Sequence, residues 1–417
     1  MMSKILVEGG NRLSGTVNTL GAKNAVLKEI VSTLLAPGRH HLTNVPSILD
    51  VELMSQVLEH TGCRVEHGDH ELWIVVPEEP RPEAPIELVR QMRASIVVLG
   101  PLLARCGQAR VALPGGDDLG ARPIEWHMHG LEQMGADFEL VHGELVARID
   151  GRLKGTEIEL PFPSVGATEN ILLAGVLADG ETVIVNAARE PEIQDLVAQL
   201  NGMGAQIDGA GTSLIRINGV ESLRPYEHRV VPDRLEAGTY AVAAAITGGD
   251  VTVTGCRPDH LRMELTKLEA AGCDVERGDG WLRVVGPERP GPTDFATLPY
   301  PGFHTDMQPQ MVALLALSTG TSVITENLYD SRYRYVGELA RMGADISIEA
   351  QHAIIRGVEA LSGCPVLAPD IRAGAALVLA GLAAEGTTEL SDADHIERGY
   401  EDFVGRLASL GAAIERM

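Results

Sequence analysis

The chain alternates between two kinds of apolar segment. One kind is apolar nearly all round and rich in small residues: NAVLKEIVSTLLAPG, ASIVVLGPLLARCG, ATENILLAGVLADG, AGTYAVAAAITGG, MQPQMVALLALSTG and AGAALVLAGLAAEG. A helix with no polar face can lie only among others like it, so these six predict buried helices, each stopped by its closing glycine. The other kind is one-faced, as in PEIQDLVAQLNGM and PDHLRMELTKLEAAG. It predicts outer helices lying against a sheet. β-branched runs such as 182–185 (TVIV) and 251–254 (VTVT) predict the strands between them.

The order of these segments repeats. A glycine-centred signal follows the one-faced helix six times: TGCRV from Thr61, MGADF from Met134, MGAQI from Met203, AGCDV from Ala271, MGADI from Met342 and LGAAI from Leu410. The interval is about 70 residues, the size of a small supersecondary module rather than a solenoid repeat. Each module reads β–α–β–α–β–β in cyclic order. Six exceed one core, so they divide three and three: residues 22–231, with the glycine-rich loop at 114–120, and residues 1–21 plus 232–417. The proline-bearing stretch 222–232 (SLRPYEHRVVP) is the expected crossing point. The sixth copy ends early, at Met417, and the opening strand at 4–7 is expected to supply the strand it lacks.

Composition narrows the function. The 417 residues carry a formal charge of −24, which repels nucleic acid and anionic lipid, so an anionic ligand needs a local cationic cluster. Aromatic residues are 4% of the chain, too few for base-stacking platforms. No apolar run suits a membrane span, and the start lacks the pattern of a secretory signal. Five scattered cysteines without a CxxC pair fit a reducing cytoplasm, and no metal-ligand spacing is present. Neither metal nor cofactor is expected. The run PGGDDLG is not a G-x-G-x-x-G fingerprint, which disfavours a nucleotide-cofactor oxidoreductase.

The candidate chemistry falls at matched phases of the repeat. Lys23-Asn24, Arg93, Ser164 to Thr168, Arg234 to Glu236, Asp306 and Asp370 to Arg372 stand where buried helices begin. Asp50, Arg122, Arg189, Arg257, Arg332 and Arg398 precede or open the outer ones. If like modules pack about an axis, the buried helices run in one sense and their N-termini converge, making an anion site of N–H groups and dipoles. Lys23, Arg93, Arg122, Arg332, Arg372 and Arg398 add six cations, the arginines with a planar fork for phosphate or carboxylate. Plainer readings compete. Thr305 and Gln308 fit a T-x-x-Q capping box around Asp306, and Ser164 and Asn24 are good caps. Lone arginines are usually surface ion pairs, a reading that Arg93 and Arg372 resist because each directly precedes a strongly buried helix. His127 is either an exposed helix residue or a ligand.

The stretches LSGTVNTLGAKNAVL, MRASIVVLGPL, LPGGDDLGARP, SVGATENIL, NAAREPEI, GFHTDMQ, DIRAGAALVLAG and HIERGY run essentially end to end, and with them the chain resembles the enolpyruvyl transferase family, in its nucleotide-sugar branch. The resemblance implies a two-lobed, inside-out α/β barrel of six βαβαββ units, three per lobe about a pseudo-threefold axis, hinged at a cleft. It implies a cytoplasmic enzyme, expected to be a monomer. The reaction implied moves the enolpyruvyl group of phosphoenolpyruvate to the 3-hydroxyl of UDP-N-acetylglucosamine, by addition then elimination, in peptidoglycan synthesis. Lys23, Asn24, Arg122, Arg332, Arg372 and Arg398 would hold phosphoenolpyruvate. Arg93, Arg122, Pro123, Ile124, Glu125, Trp126, Ser164, Val165, Gly166, Asp306 and Leu328 would line the nucleotide-sugar site. Asp306 would take the hydroxyl proton, and the glycine-rich loop would close and bring the proton donor.

Two departures stand out. Many members have cysteine where this chain has Asp117, and aspartate there occurs in members resistant to the thiol-alkylating epoxide fosfomycin. A free carboxyl titrates near ~3.9, so acting as an acid at pH 7 requires a shift of roughly 3 units, or about 4 kcal/mol. His304 stands where proline is common, two residues before Asp306. Two other readings remain: a relative acting on another uridine nucleotide in secondary metabolism, and a non-catalytic UDP-sugar-binding protein.

Overall fold

The computed structural model describes residues 3–113, 115 and 124–417. They form two compact units, one of residues 21–231 and one of residues 3–20 with 232–417. Each unit holds three four-stranded sheets and three inner helices. The inner helices are Lys23–Ser32 (α1), Leu99–Cys106 (α2) and Val165–Gly175 (α3) in the first unit, and Arg234–Ile246 (α4), Gln308–Leu315 (α5) and Ile371–Ala383 (α6) in the second. Every residue of α4 is buried, as its small apolar run from Ala241 to Ala245 requires, and Arg234 and Glu236 at its start are buried with it.

All six sheets share one plan. In one, Glu83–Ala84 pairs parallel with Gln108–Ala112, which pairs antiparallel with Glu144–Ile149, which pairs antiparallel with Ala136–Val141. The parallel pair is joined through the inner helix, and the outer helix Glu125–Gln133 leads into the closing hairpin. This is the expected βαβαββ module, with helices inside and sheets outside.

Each unit is closed by strands distant in sequence. Lys4–Glu8 lies between Thr387–Ser391 and Ala413–Arg416, antiparallel to both, and so completes the sixth module as expected. Ser14–Asn18 pairs parallel with Asp250–Thr254. The stretch 222–232, read from sequence as a crossing segment, also contains a strand: Glu227–Arg229 pairs parallel with Gly38–Thr43.

Within each unit polar contacts tie the inner helices to one another. In the first, Lys28 in the middle of α1 pairs with Glu169 in the middle of α3 (3.3 Å), and Asn170 of α3 accepts the Gly100 N–H at the start of α2 (2.8 Å). In the second, Thr239 of α4 meets Gln310 of α5, and Asp306, just before α5, pairs with Arg372 in the first turn of α6. One inner segment departs from expectation. Arg93–Val98 is a 3₁₀ turn and α2 begins only at Leu99. Pro101 has no N–H to give back one turn, and the β-branched run before it favours the tighter winding.

The opening strand is a central strand, so its inward side chains carry stability. Ile5 is buried on one face, and Ile5→Ala is expected to lower the unfolding free energy by about 2–5 kcal/mol in urea titration at unchanged m-value. Exposed Glu8→Ala is expected to change it by less than about 0.5 kcal/mol.

Candidate active site

The second unit brings three inner-helix starts together around Asp306. Its Oδ1 lies 3.1 Å from Arg332 Nη2, and its Oδ2 lies 3.5 Å from Arg372 Nε. Both arginine side chains are almost fully buried, 1% and 5% exposed, whereas Asp306 keeps 19% of its side chain open. The plainer reading of an ordinary surface ion pair fails at Arg332, as it does at Arg372, whose place at the start of a buried helix already speaks against it. Burial alone would lower each guanidinium; Asp306, Asp370 and Glu326 outweigh it at Arg332, and Tyr400, Asp306 and Asp233 do so at Arg372. Both stay charged. The Arg372 guanidinium lies 5.0 Å from the centre of the Tyr400 ring. The Tyr400 hydroxyl shares a hydrogen bond with Thr239 at 2.9 Å. Among the described residues, Arg332 Nε and Arg372 Nη1 are buried with no hydrogen-bond partner.

Glu326, which the sequence reading missed, sets this geometry. Its Oε1 accepts the Thr297 hydroxyl (2.8 Å) and the N–H groups of Leu328 and Tyr329 (2.9 and 3.2 Å), and its Oε2 accepts the Thr305 hydroxyl (2.9 Å). One buried carboxylate thus ties the segment leading to Arg332 to the turn that carries Asp306. No motif marks such a residue; its role comes from contacts between distant segments. Leu328 is half-buried in that segment. Arg398 is half-buried at the end of the short helix Asp394–Glu397, two residues before Tyr400.

The capping box proposed for Asp306 does not form. Thr305 Oγ1 turns to Glu326, and Gln308 Oε1 accepts the Tyr335 hydroxyl at 2.6 Å. His304 is the cap instead: its Nδ1 accepts the Asp306 N–H at 3.0 Å.

In the first unit, Lys23 opens α1, and its Nζ lies 3.1 Å from Oδ2 of the fully buried Asp50. Asp50 was visible only as a phase-matched polar residue. Asn24 does not cap α1, which has no side-chain cap; its carbonyl accepts Lys28 Nζ at 2.6 Å. His127 is neither exposed nor free to bind a ligand through Nδ1, which accepts from Asn170 Nδ2 at 2.9 Å. Burial, then the nearby charge of Arg93, lowers its pKa to about 4, so it is neutral at pH 7. A Cβ at Gly166 would come within 2.9 Å of the His127 ring, which accounts for the glycine. Ser164 caps α3 through the Ala167 N–H (3.3 Å). Ile124, Trp126, Ser164, Val165 and Gly166 are half-buried, Glu125 is exposed, and Trp126 stacks on Phe162. Asp117, Arg122 and Pro123 lie outside the described residues.

Among the described residues, Glu29, Asp195 and His228 alone have the spacing of a metal-binding group. Burial, with Asp195 adding to it, raises the Glu29 carboxyl well above the usual range. Burial would lower His228, but Asp195 and Glu29 push it up to about 10. Burial would raise Asp195, but His228 and Glu29 hold it below its usual value. The two carboxyls and the imidazole therefore set one another's charge by direct contact, with His228 held cationic between them.

The fold and the buried arginine–carboxylate site define a class. The family model described as EPSP synthase (3-phosphoshikimate 1-carboxyvinyltransferase) matches residues 7–407, and the chain belongs to this family. Curated relatives narrow it. The UDP-N-acetylglucosamine 1-carboxyvinyltransferase of Corynebacterium jeikeium is 54% identical over 417 residues, covering 100% of both chains. That of Nocardia farcinica is 53% identical, covering 100% of this chain and 99% of its own. Among solved structures, the enolpyruvyl transferase NikO from Streptomyces tendae superposes with a TM-score of 0.91 at 26% identity, covering 100% of this chain and 99% of its own. Among the described residues no helix is long and apolar enough to cross a membrane.

Glu236 gives the second unit a measurable pH dependence. Its Oε2 accepts the Leu20 N–H (3.0 Å), and Oε1 lies 3.5 Å from Arg406. Burial raises its pKa from 4.5 to about 7, against the opposing charge of Arg406. The folded chain therefore holds this proton more tightly than the unfolded one. The stability it contributes is complete below about pH 4.5 and is lost as pH rises to 7, by about 3 kcal/mol. Urea unfolding from pH 5 to 8 is expected to show a fall smaller by about that amount in Glu236→Gln.

Proposed function

We propose that this protein transfers the enolpyruvyl group of phosphoenolpyruvate to the 3-hydroxyl of UDP-N-acetylglucosamine, releasing phosphate. The observation that carries the chemistry is Asp306 flanked by two buried guanidiniums, each with an N–H left unsatisfied. The full-length kinship at 53–54% identity supports this acceptor. The reading as a paralogue on another uridine nucleotide has weaker support, because the full-length curated relatives at 53–54% identity carry the UDP-N-acetylglucosamine name. A silent binding protein would have no use for buried cations held charged beside a partly open carboxylate.

In this reading the acceptor hydroxyl attacks C2 of phosphoenolpyruvate while Asp306 takes its proton. Asp117 gives a proton to C3, producing a tetrahedral phospholactyl adduct. Loss of a C3 proton with departure of phosphate then restores the double bond, now in the enol ether. Arg332 and Arg372 meet the carboxylate of phosphoenolpyruvate, and Lys23, Arg122 and Arg398 its phosphate, with Asn24 beside Lys23. Fixed positive charge stabilises the doubly anionic reacting group without reorganising. Arg93, Arg122, Pro123, Ile124, Glu125, Trp126, Ser164, Val165, Gly166 and Leu328 receive the nucleotide sugar. The protein works in the cytoplasm as a monomer, without metal or organic cofactor; its five cysteines are all free thiols, in keeping with a reducing compartment.

Phosphate release is expected with phosphoenolpyruvate and UDP-N-acetylglucosamine, and not with UMP or shikimate 3-phosphate as acceptor. Asp306→Asn is expected to lower kcat by about 10²–10⁴ in the same assay. Asp117 offers fosfomycin no thiol, so intact-mass measurement after incubation is expected to find no covalent adduct; an active-site adduct would contradict the assignment.

A further inference from the structure

We propose that His304 is a positioning residue for Asp306: it fixes the turn carrying that carboxylate while keeping a second negative charge away from it. This rests on the reading of Asp306 as the base. In the second unit α4 and α6 are each capped by a side-chain acceptor, and the 3₁₀ turn that leads into α5 is capped likewise at the same phase of the repeat, α5 itself having no side-chain cap. Asp233 accepts the N–H groups of Leu235 and Glu236 at 2.8 and 3.0 Å. Asp370 accepts those of Arg372 and Ala373 at 2.8 and 2.9 Å. At the third position the acceptor is an imidazole, with His304 Nδ1 3.0 Å from the Asp306 nitrogen.

A carboxylate is the stronger cap, because it also answers the positive end of the helix dipole. Its cost is specific to this helix. A charge at 304 would stand two residues from Asp306 and compete for Arg332 and Arg372, the groups that face it. Neutral imidazole satisfies the same N–H through a lone pair and adds no charge, with its own hydrogen on Nε2. The backbone of His304 is anchored in turn: its N–H donates to Oε1 of the buried Glu264 (2.9 Å), on the outer helix Arg262–Ala270. The turn Thr305–Met307 is 3₁₀, with poor hydrogen-bond geometry of its own, so its aim depends on these side-chain anchors.

The test compares His304→Ala, His304→Asn and His304→Asp for kcat, both KM values and Tm. Loss of the cap in His304→Ala is expected to lower kcat about tenfold with both KM values within about twofold. His304→Asn, a short neutral cap, is expected to recover most of kcat. His304→Asp is expected to keep Tm at or above that of the Asn variant yet lose kcat about tenfold, which a merely structural cap would not do. Equal kcat in the Asn and Asp variants, or unchanged kcat in His304→Ala, overturns the proposal. If His304→Ala does not fold, the Asn and Asp pair decides alone. Asp306→Asn separates the two claims: full turnover there defeats the base assignment itself, whereas a dead Asp306→Asn with an active His304→Asp defeats only the role of His304.

Discussion

Arg332 and Arg372 are charges kept almost entirely out of water, and the second unit is built to make that tolerable. Burial of a guanidinium is costly unless carboxylates surround it. Here Asp306 touches both, Asp370 and Glu326 act on Arg332, and Asp233 and the Tyr400 ring act on Arg372. Those acids come from the starts of three separate helices and from one strand end. The charges therefore hold their geometry only while the helices run in one sense and end on one face. A low-dielectric setting makes the same arrangement effective toward an anionic reactant, since unsatisfied N–H groups act more strongly there than in water.

The first unit repeats the plan with different chemistry. Lys23 is steadied by buried Asp50, and Lys28 by Glu169, whose carboxyl burial raises to about 7. The caps differ as well: Ser164 for α3 and none for α1, against Asp233 for α4, Asp370 for α6 and His304 for the 3₁₀ turn that leads into α5. One module has thus been specialised at equivalent positions. The backbone plan is shared, and the polar residues at the helix starts diverge.

The arrangement of strands shows how a repeated unit is closed. Each sheet needs a first strand from the segment before its inner helix, and a chain divided in three must borrow one from its far end. Glu227–Arg229 serves the sheet of Gly38–Thr43, and Ser14–Asn18 that of Asp250–Thr254. Lys4–Glu8 is a different loan, an internal strand given to the truncated sixth copy. The missing strand of that copy was legible as an absence in the repeat. The strand at 227–229 was not, because three polar residues between a proline-rich turn and Val230 carry no alternation of their own.

What the sequence determined by itself was the module: six all-apolar helices, six one-faced helices and a glycine signal at a fixed interval dictate helices inside and sheets outside. It also marked Lys23, Asp306, Arg332 and Arg372 as polar residues at recurring helix starts. What the tertiary structure decided was the partner of each. Asp50 beneath Lys23, Glu326 on Thr305, and Asn170 on His127 are joined across 21 to 43 residues of chain. His304 took the capping place that the local T-x-x-Q pattern had offered to Thr305. Periodicity reports which face of a segment is buried. A hydrogen bond between distant segments leaves no periodic trace, and where it competes with a local pattern the packed core chooses the winner.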